Sequence, residues 1–156
     1  MVDATVLVAG IVWPRFPHEV LQHGLRGDFQ LVLSRHVITQ ARRRIRERFP
    51  AYAEGFERFL AHLICEEVEN PPLQEISANP SLVRDHSDIP IALSAINAGV
   101  DYFVSDDKDF TAPDEPIHDK LHVLQSGTFL NKVMGHSHED LDQIKRRTWA
   151  DMPGHD

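Results

Sequence analysis

Cysteine is almost missing from this chain: Cys65 stands alone among 156 residues. It has no partner for an internal disulfide, and no CxxC pair offers zinc spacing, so a reducing, cytoplasmic setting is the plain expectation. Long apolar runs are missing too. Residues 6–13 are apolar but too few to span a bilayer, and Asp3 stands where a signal peptide needs positive charge, so no membrane partner is expected. There is no internal repeat, low-complexity stretch or long linker. Positive charge is scarce overall: the formal net charge is −8. That balance argues against a general nucleic-acid coat protein but does not exclude a nuclease, whose basic contacts can be local.

What is present is ordinary for a globular domain. Apolar content of 42% and charged content of 26% fit a soluble protein. A chain of this length buries roughly 68–70% of the surface its unfolded form exposes, enough for one core. Basic charge gathers at Arg42, Arg43, Arg44, Arg46 and Arg48. A solvated helix face accounts for such a run. If it borders an acidic site, Arg42, Arg43 and Arg46 become candidates for holding RNA phosphates.

Helix and strand signals alternate, which predicts an α/β protein with a mostly parallel sheet. Residues 29–33 read as a short strand, and Ser34 as the N-cap of a helix to about residue 48, stopped by Pro50. A second helix is expected over 52–64, an edge strand over 65–68, and a helix over 87–98 ending at Gly99. Residues 102–104 and 121–124 read as strands and 106–116 as a loop. A helix follows from Ser126 to Gly135. Ser137 and Asp140 resemble a capping box that opens a last helix.

Four aspartates then stand out. Asp88 precedes Ile91, Ala92, Ala95 and Ile96 by three, four, seven and eight positions, so it shares their core-facing helix side. A first-turn acid that complements the helix dipole explains it equally well. Asp107 and Asp109 follow the apolar strand at 102–104, where ligands gather in open parallel sheets. An exposed turn is the competing account. Asp3 is ambiguous: either residues 6–12 are a strand that begins after it, or a strand ends at Asp3 and a helix begins near Val6. Periodicity does not choose. Carboxylates brought together repel one another, and a divalent cation is the usual remedy. Oxygen-only donors suit Mg²⁺ or Mn²⁺ and phosphoryl chemistry.

The ordered segments Asp3-Ala4-Thr5-Val6-Leu7-Val8, Leu33-Ser34, Asp88-Ile89-Pro90-Ile91-Ala92 and Ser105-Asp106-Asp107-Lys108-Asp109-Phe110 resemble the PIN-domain family of metal-dependent ribonucleases, especially bacterial toxins of VapC type. The resemblance covers about the first 135 residues. It implies a nuclease domain over 1–135; beyond it, the thin apolar stripe of Leu141, Ile144 and Trp149 predicts a peripheral C-terminal helix, with an acidic tail, over 136–156. The resemblance implies a three-layer α/β/α, Rossmann-like fold with a central, mostly parallel sheet, and it places Asp3 at the end of the opening strand. By position Asp3, Asp88 and Asp107 are the catalytic, metal-binding acids, Asp109 is a further metal ligand, and Ser105 and Thr5 are supporting groups.

The same resemblance implies hydrolysis of RNA phosphodiester bonds with Mg²⁺ or Mn²⁺, a homodimer, and an inhibitory antitoxin partner. One departure matters. Gln40 occupies a position where the family usually has Glu, and a neutral amide oxygen neither offsets a cation's charge nor acts as a base. That departure motivates the alternative of a catalytically weak or inactive binding module. The histidines, including His136-x-His138, give no competing site by their spacing.

Overall fold

The computed structural model describes residues 1–153; the end of the expected acidic tail, residues 154–156, lies outside them. About 60% of the chain is helical and about 7% is strand. The expected central sheet with helices on both faces is not formed. In its place are two separate parallel pairs. Strand β1 (Val32–Ser34) pairs with β2 (Glu66–Val68), and β3 (Phe103–Val104) pairs with β4 (Val123–Leu124). The three-layer α/β/α expectation is therefore overturned. Strands of two or three residues carry too few ladder bonds to merge the pairs, and the apolar residues beside them serve packing instead. Phe29 and Tyr102 both set their rings against Phe129, at 5.3 and 6.1 Å between centroids.

The opening residues add one parallel bridge, Val2 beside Val104. The Val104 N–H donates to the Met1 carbonyl at 2.8 Å, and the Asp3 N–H to the Val104 carbonyl at 3.2 Å. Three short stretches thus run side by side in one direction: residues 1–2, β3 and β4. All three stop at the same end, and a polar residue follows each.

Helix α1 (Ala4–Val12) settles the ambiguity at Asp3. It is apolar on nearly every face, with Val6, Leu7, Val8 and Val12 buried, so neither period dominates its sequence. The Asp3 side chain caps it. It packs on α2 (Phe16–Arg26), where a Cβ at Gly10 would collide with Leu21. Helix α3 (Arg35–Arg48) starts from Ser34, whose hydroxyl accepts the Val37 N–H at 3.1 Å, and buries Val37, Ala41 and Ile45. Helices α4 (Ala53–His62) and α5 (Leu73–Ser77) follow on either side of β2.

Helix α6 (Ile89–Ala98) has Pro90 in its first turn and stops at Gly99, whose φ of 64° is left-handed. The loop expected over 106–116 contains a one-turn helix, α7 (Lys108–Thr111). Helix α8 (Ser126–Lys132) follows β4, and α9 (His138–Arg146) opens with the Ser137–Asp140 capping box. Only Ile144 of α9 is buried. Beyond it, Arg147 Nε donates to the Pro14 carbonyl at 2.7 Å and Trp149 Nε1 to the Val12 carbonyl at 3.0 Å, fastening residues 147–149 to the last residue of α1 and the turn after it. Among the described residues no helix is long and apolar enough to cross a membrane.

Candidate functional site

Asp3 is buried at the end of the first extended stretch, 3% exposed. Its Oδ1 accepts the Val6 N–H at 2.9 Å, and its Oδ2 accepts a hydrogen bond from the Ser105 hydroxyl. Burial raises its pKa to about 6; the Ser105 and Val6 bonds oppose that rise, and the charges of Asp106 and Asp107 add to it. Ser105, itself buried just past β3, also accepts the Asp107 N–H at 3.1 Å. One hydroxyl therefore joins the end of the first stretch to the end of β3.

The next two residues turn to different neighbours. Asp106 accepts the Ser126 N–H at 2.8 Å and the Ser126 hydroxyl at 2.6 Å, so it secures the start of α8. Asp107 caps α7, accepting the Asp109 N–H at 2.9 Å. Turn and cap duties thus account fully for Asp106 and partly for Asp107.

Asp88 is different. It is half-buried at the start of α6, and its side chain makes no capping bond there. Burial raises its pKa to about 7, and the charges of Asp85, Asp107, Asp3 and Asp109 push the same way. Asp85, Asp88 and Asp109 each bring a carboxylate oxygen within 4.8 Å of the others. A hard cation fits this donor set, which is oxygen-only and acidic and includes one carboxylate, Asp88, that burial and its acidic neighbours hold above the usual range. Asp3 and Asp107 stand in the same electrostatic neighbourhood, tied to it through Ser105.

Three contributors escaped sequence reasoning: Asp85, Arg84 and His36. Arg84 sets its guanidinium between Asp109 at 3.4 Å and Glu115 at 3.0 Å, a cation at the edge of the acidic group. His36 hydrogen-bonds the Ser87 backbone and lies 3.0 Å from the Gln40 amide nitrogen. Burial lowers the His36 pKa. Gln40 thus reaches the Asp88 loop through an imidazole rather than directly. Asp85 carries a visible signal, its place three residues before Asp88, but nothing local marks Arg84 or His36.

The arginine run divides. Arg42 makes two bonds to Glu57 on α4, at 2.6 and 3.2 Å, which holds the Glu57 carboxyl below its usual range, and Arg46 adds to that effect. Arg42 thus serves the α3–α4 contact, and the charge of Arg46 acts on the same carboxylate. Arg43 is the member whose charge reaches His36. Thr5 is exposed in the first turn of α1.

An open cleft of about 610 Å³ lies beside the aspartates rather than over them. Arg15, Lys132 and Lys145 line it, and it reaches Asp106. No family model, curated protein or solved structure matches this chain. A functional reading therefore rests on the residues themselves.

Proposed function

We propose that this chain is a divalent-cation-dependent endoribonuclease that hydrolyses RNA phosphodiester bonds at the acidic cluster of Asp3, Asp88, Asp107 and Asp109, with Asp85 as a further donor. The observation that carries this reading is Asp88. It is a half-buried carboxylate without a capping bond, surrounded by other carboxylates and pushed up to about 7. Such a group costs stability in the bare protein and gains a partner once a cation is present.

Asp85, Asp88 and Asp109 would hold Mg²⁺ or Mn²⁺, their oxygens already lying within 4.8 Å of one another. The ion, when bound, supplies positive charge to the scissile phosphate and lowers the pKa of water. Asp3 and Asp107 contribute fixed negative charge, held in place by Ser105, and thereby orient the donor set. Arg15, Lys132 and Lys145 offer a path for the phosphate backbone toward Asp106. Arg43 offers a second approach along the His36 side. The motif resemblance adds a cytoplasmic homodimer and an inhibitory antitoxin as partners.

A second reading follows from Gln40. Its amide is engaged with His36 and brings no negative charge, which favours a module that binds RNA without cutting it. Cleavage of a labelled RNA across a Mn²⁺ titration separates the two. Cleavage that vanishes in Asp88→Asn supports the enzyme. Binding without cleavage at every Mn²⁺ concentration sinks it and leaves the binding module.

A further inference from the structure

We infer that Glu19, His23 and His136 form a second cation site, distinct from the aspartates, that takes a transition metal of the zinc class. Glu19 and His23 are four residues apart on α2, so both project from the same side of the helix. His136 comes from the connection between α8 and α9, 113 positions along the chain from His23. The two imidazoles meet through their Nε2 atoms at 2.7 Å, and Glu19 Oε1 lies 3.9 Å from His23 Nε2. All three donors fall within 4.8 Å of one another. They are sheltered: the side chains of Glu19, His23 and His136 are 13%, 11% and 18% exposed.

The outer atoms make this more than a chance pair. His23 Nδ1 lies 2.7 Å from Asp28 Oδ2, a distance that requires the proton on Nδ1 and leaves Nε2 with its lone pair inward. His136 Nδ1 faces Asp140 Oδ2 at 3.8 Å. His23 thus has a hydrogen-bonded carboxylate behind it and its other nitrogen at the centre, the pattern by which proteins orient metal-binding imidazoles, while Asp140 stands behind His136 at ion-pair distance. Glu19 Oε2 is occupied by Arg147 at 3.1 Å, which leaves Oε1 toward the rings. Arg26 stands outside, 3.7 Å from Glu19 Oε1 and 3.3 Å from His23 Nδ1.

Two nitrogens and one oxygen leave a fourth position for solvent in a tetrahedral shell. The nitrogens must open from 2.7 Å to about 3.3 Å, the separation given by two bonds of about 2.05 Å at the tetrahedral angle. The proton now shared between the rings leaves to solvent as the metal enters. Bound there, the metal ties α2 to the α8–α9 connection.

The test is a Zn²⁺ titration of the full chain against a competing chelator, with Co²⁺ absorption as a second readout. One equivalent of Zn²⁺ and four-coordinate Co²⁺ bands are expected for the unmodified protein. His136→Gln, the more exposed of the two imidazoles, is expected to remove both, and Asp28→Asn to weaken binding about 10–100-fold. Thermal melts show that the variants remain folded, and the Co²⁺ spectrum of the unmodified chain stands if one does not. Asp88→Asn is expected to leave this affinity unchanged, so failure of the nuclease reading and failure of this site are separable. Equal Zn²⁺ binding by the unmodified protein and His136→Gln overturns the site and leaves an imidazole pair only. Loss of Zn²⁺ in Asp88→Asn instead assigns the metal to the aspartates and overturns it as well.

Discussion

The aspartate cluster and the imidazole pair are each assembled from distant parts of the chain, yet they balance charge in opposite ways. In the first Asp3, Asp85, Asp88, Asp107 and Asp109 gather, and Arg84 contacts one of them, Asp109. In the second Glu19, Asp28 and Asp140 are answered by Arg26, Arg147 and two imidazole rings. The first arrangement is held together against repulsion; the second is already paired. A cation therefore relieves repulsion in the cluster, whereas at the imidazoles it replaces a hydrogen bond.

Exchanging single groups breaks this comparison most sharply. Asp88→Asn is expected to lower Mn²⁺-dependent RNA cleavage by on the order of 10²-fold or more while leaving Zn²⁺ affinity alone; retained cleavage removes Asp88 from the chemistry. Ser105→Ala strips a donor from a buried carboxylate and is expected to cost about 2–3 kcal/mol by denaturant melts. Full stability in that variant breaks the claim that Ser105 holds Asp3.

Acidity sharpens the contrast further. Asp3 and Asp88 have folded pKa values of about 6 and about 7, above the ordinary 3.8. The folded state then binds protons more tightly than the unfolded state between about pH 4 and 7, so metal-free stability is expected to fall as pH rises through that window. For Asp88 alone the loss is on the order of 2 kcal/mol once its partial exposure is discounted. Melts in chelator between pH 4 and 8 check it: Asp88→Asn should flatten the slope, and added Mg²⁺ should restore stability above pH 7. A slope of the opposite sign contradicts the account.

The smallest effects come from the two arginines. Arg147→Ala, which loses bonds to both Pro14 and Glu19, is expected to cost about 1–2 kcal/mol. Arg84 is 59% exposed, and Arg84→Ala should cost less than about 1 kcal/mol. Equal losses would remove the distinction between a paired imidazole site and a crowded acidic cluster.

Local chemistry is what the sequence made legible. Ser34, Gly99 and the Ser137–Asp140 box act within one helical turn, and each stands where its residue type indicated. The helix at α2 was not foreseen: Pro17 and Gly24 are unfavourable inside helices, although Val20, Leu21 and Gly24 all turn inward. The central sheet failed for the opposite reason: apolar stretches looked like strands, but only two or three residues of each entered a ladder. At the site, the aspartates were visible because acids just past apolar runs are conspicuous. Arg84, His36 and the His23–His136 contact were not, since no pattern within a few residues encodes a meeting across the fold.

Ser105, Asp106 and Asp107 are consecutive, yet they grip the beginnings of three helices: Ser105 through Asp3 at α1, Asp106 at α8, Asp107 at α7. About 10 Å of backbone is thus a mechanical junction. A tilt of α8 would reach Asp107 through one peptide link and Asp3 through one hydroxyl. Three consecutive residues thus set how far the starts of α1, α7 and α8 can part from one another.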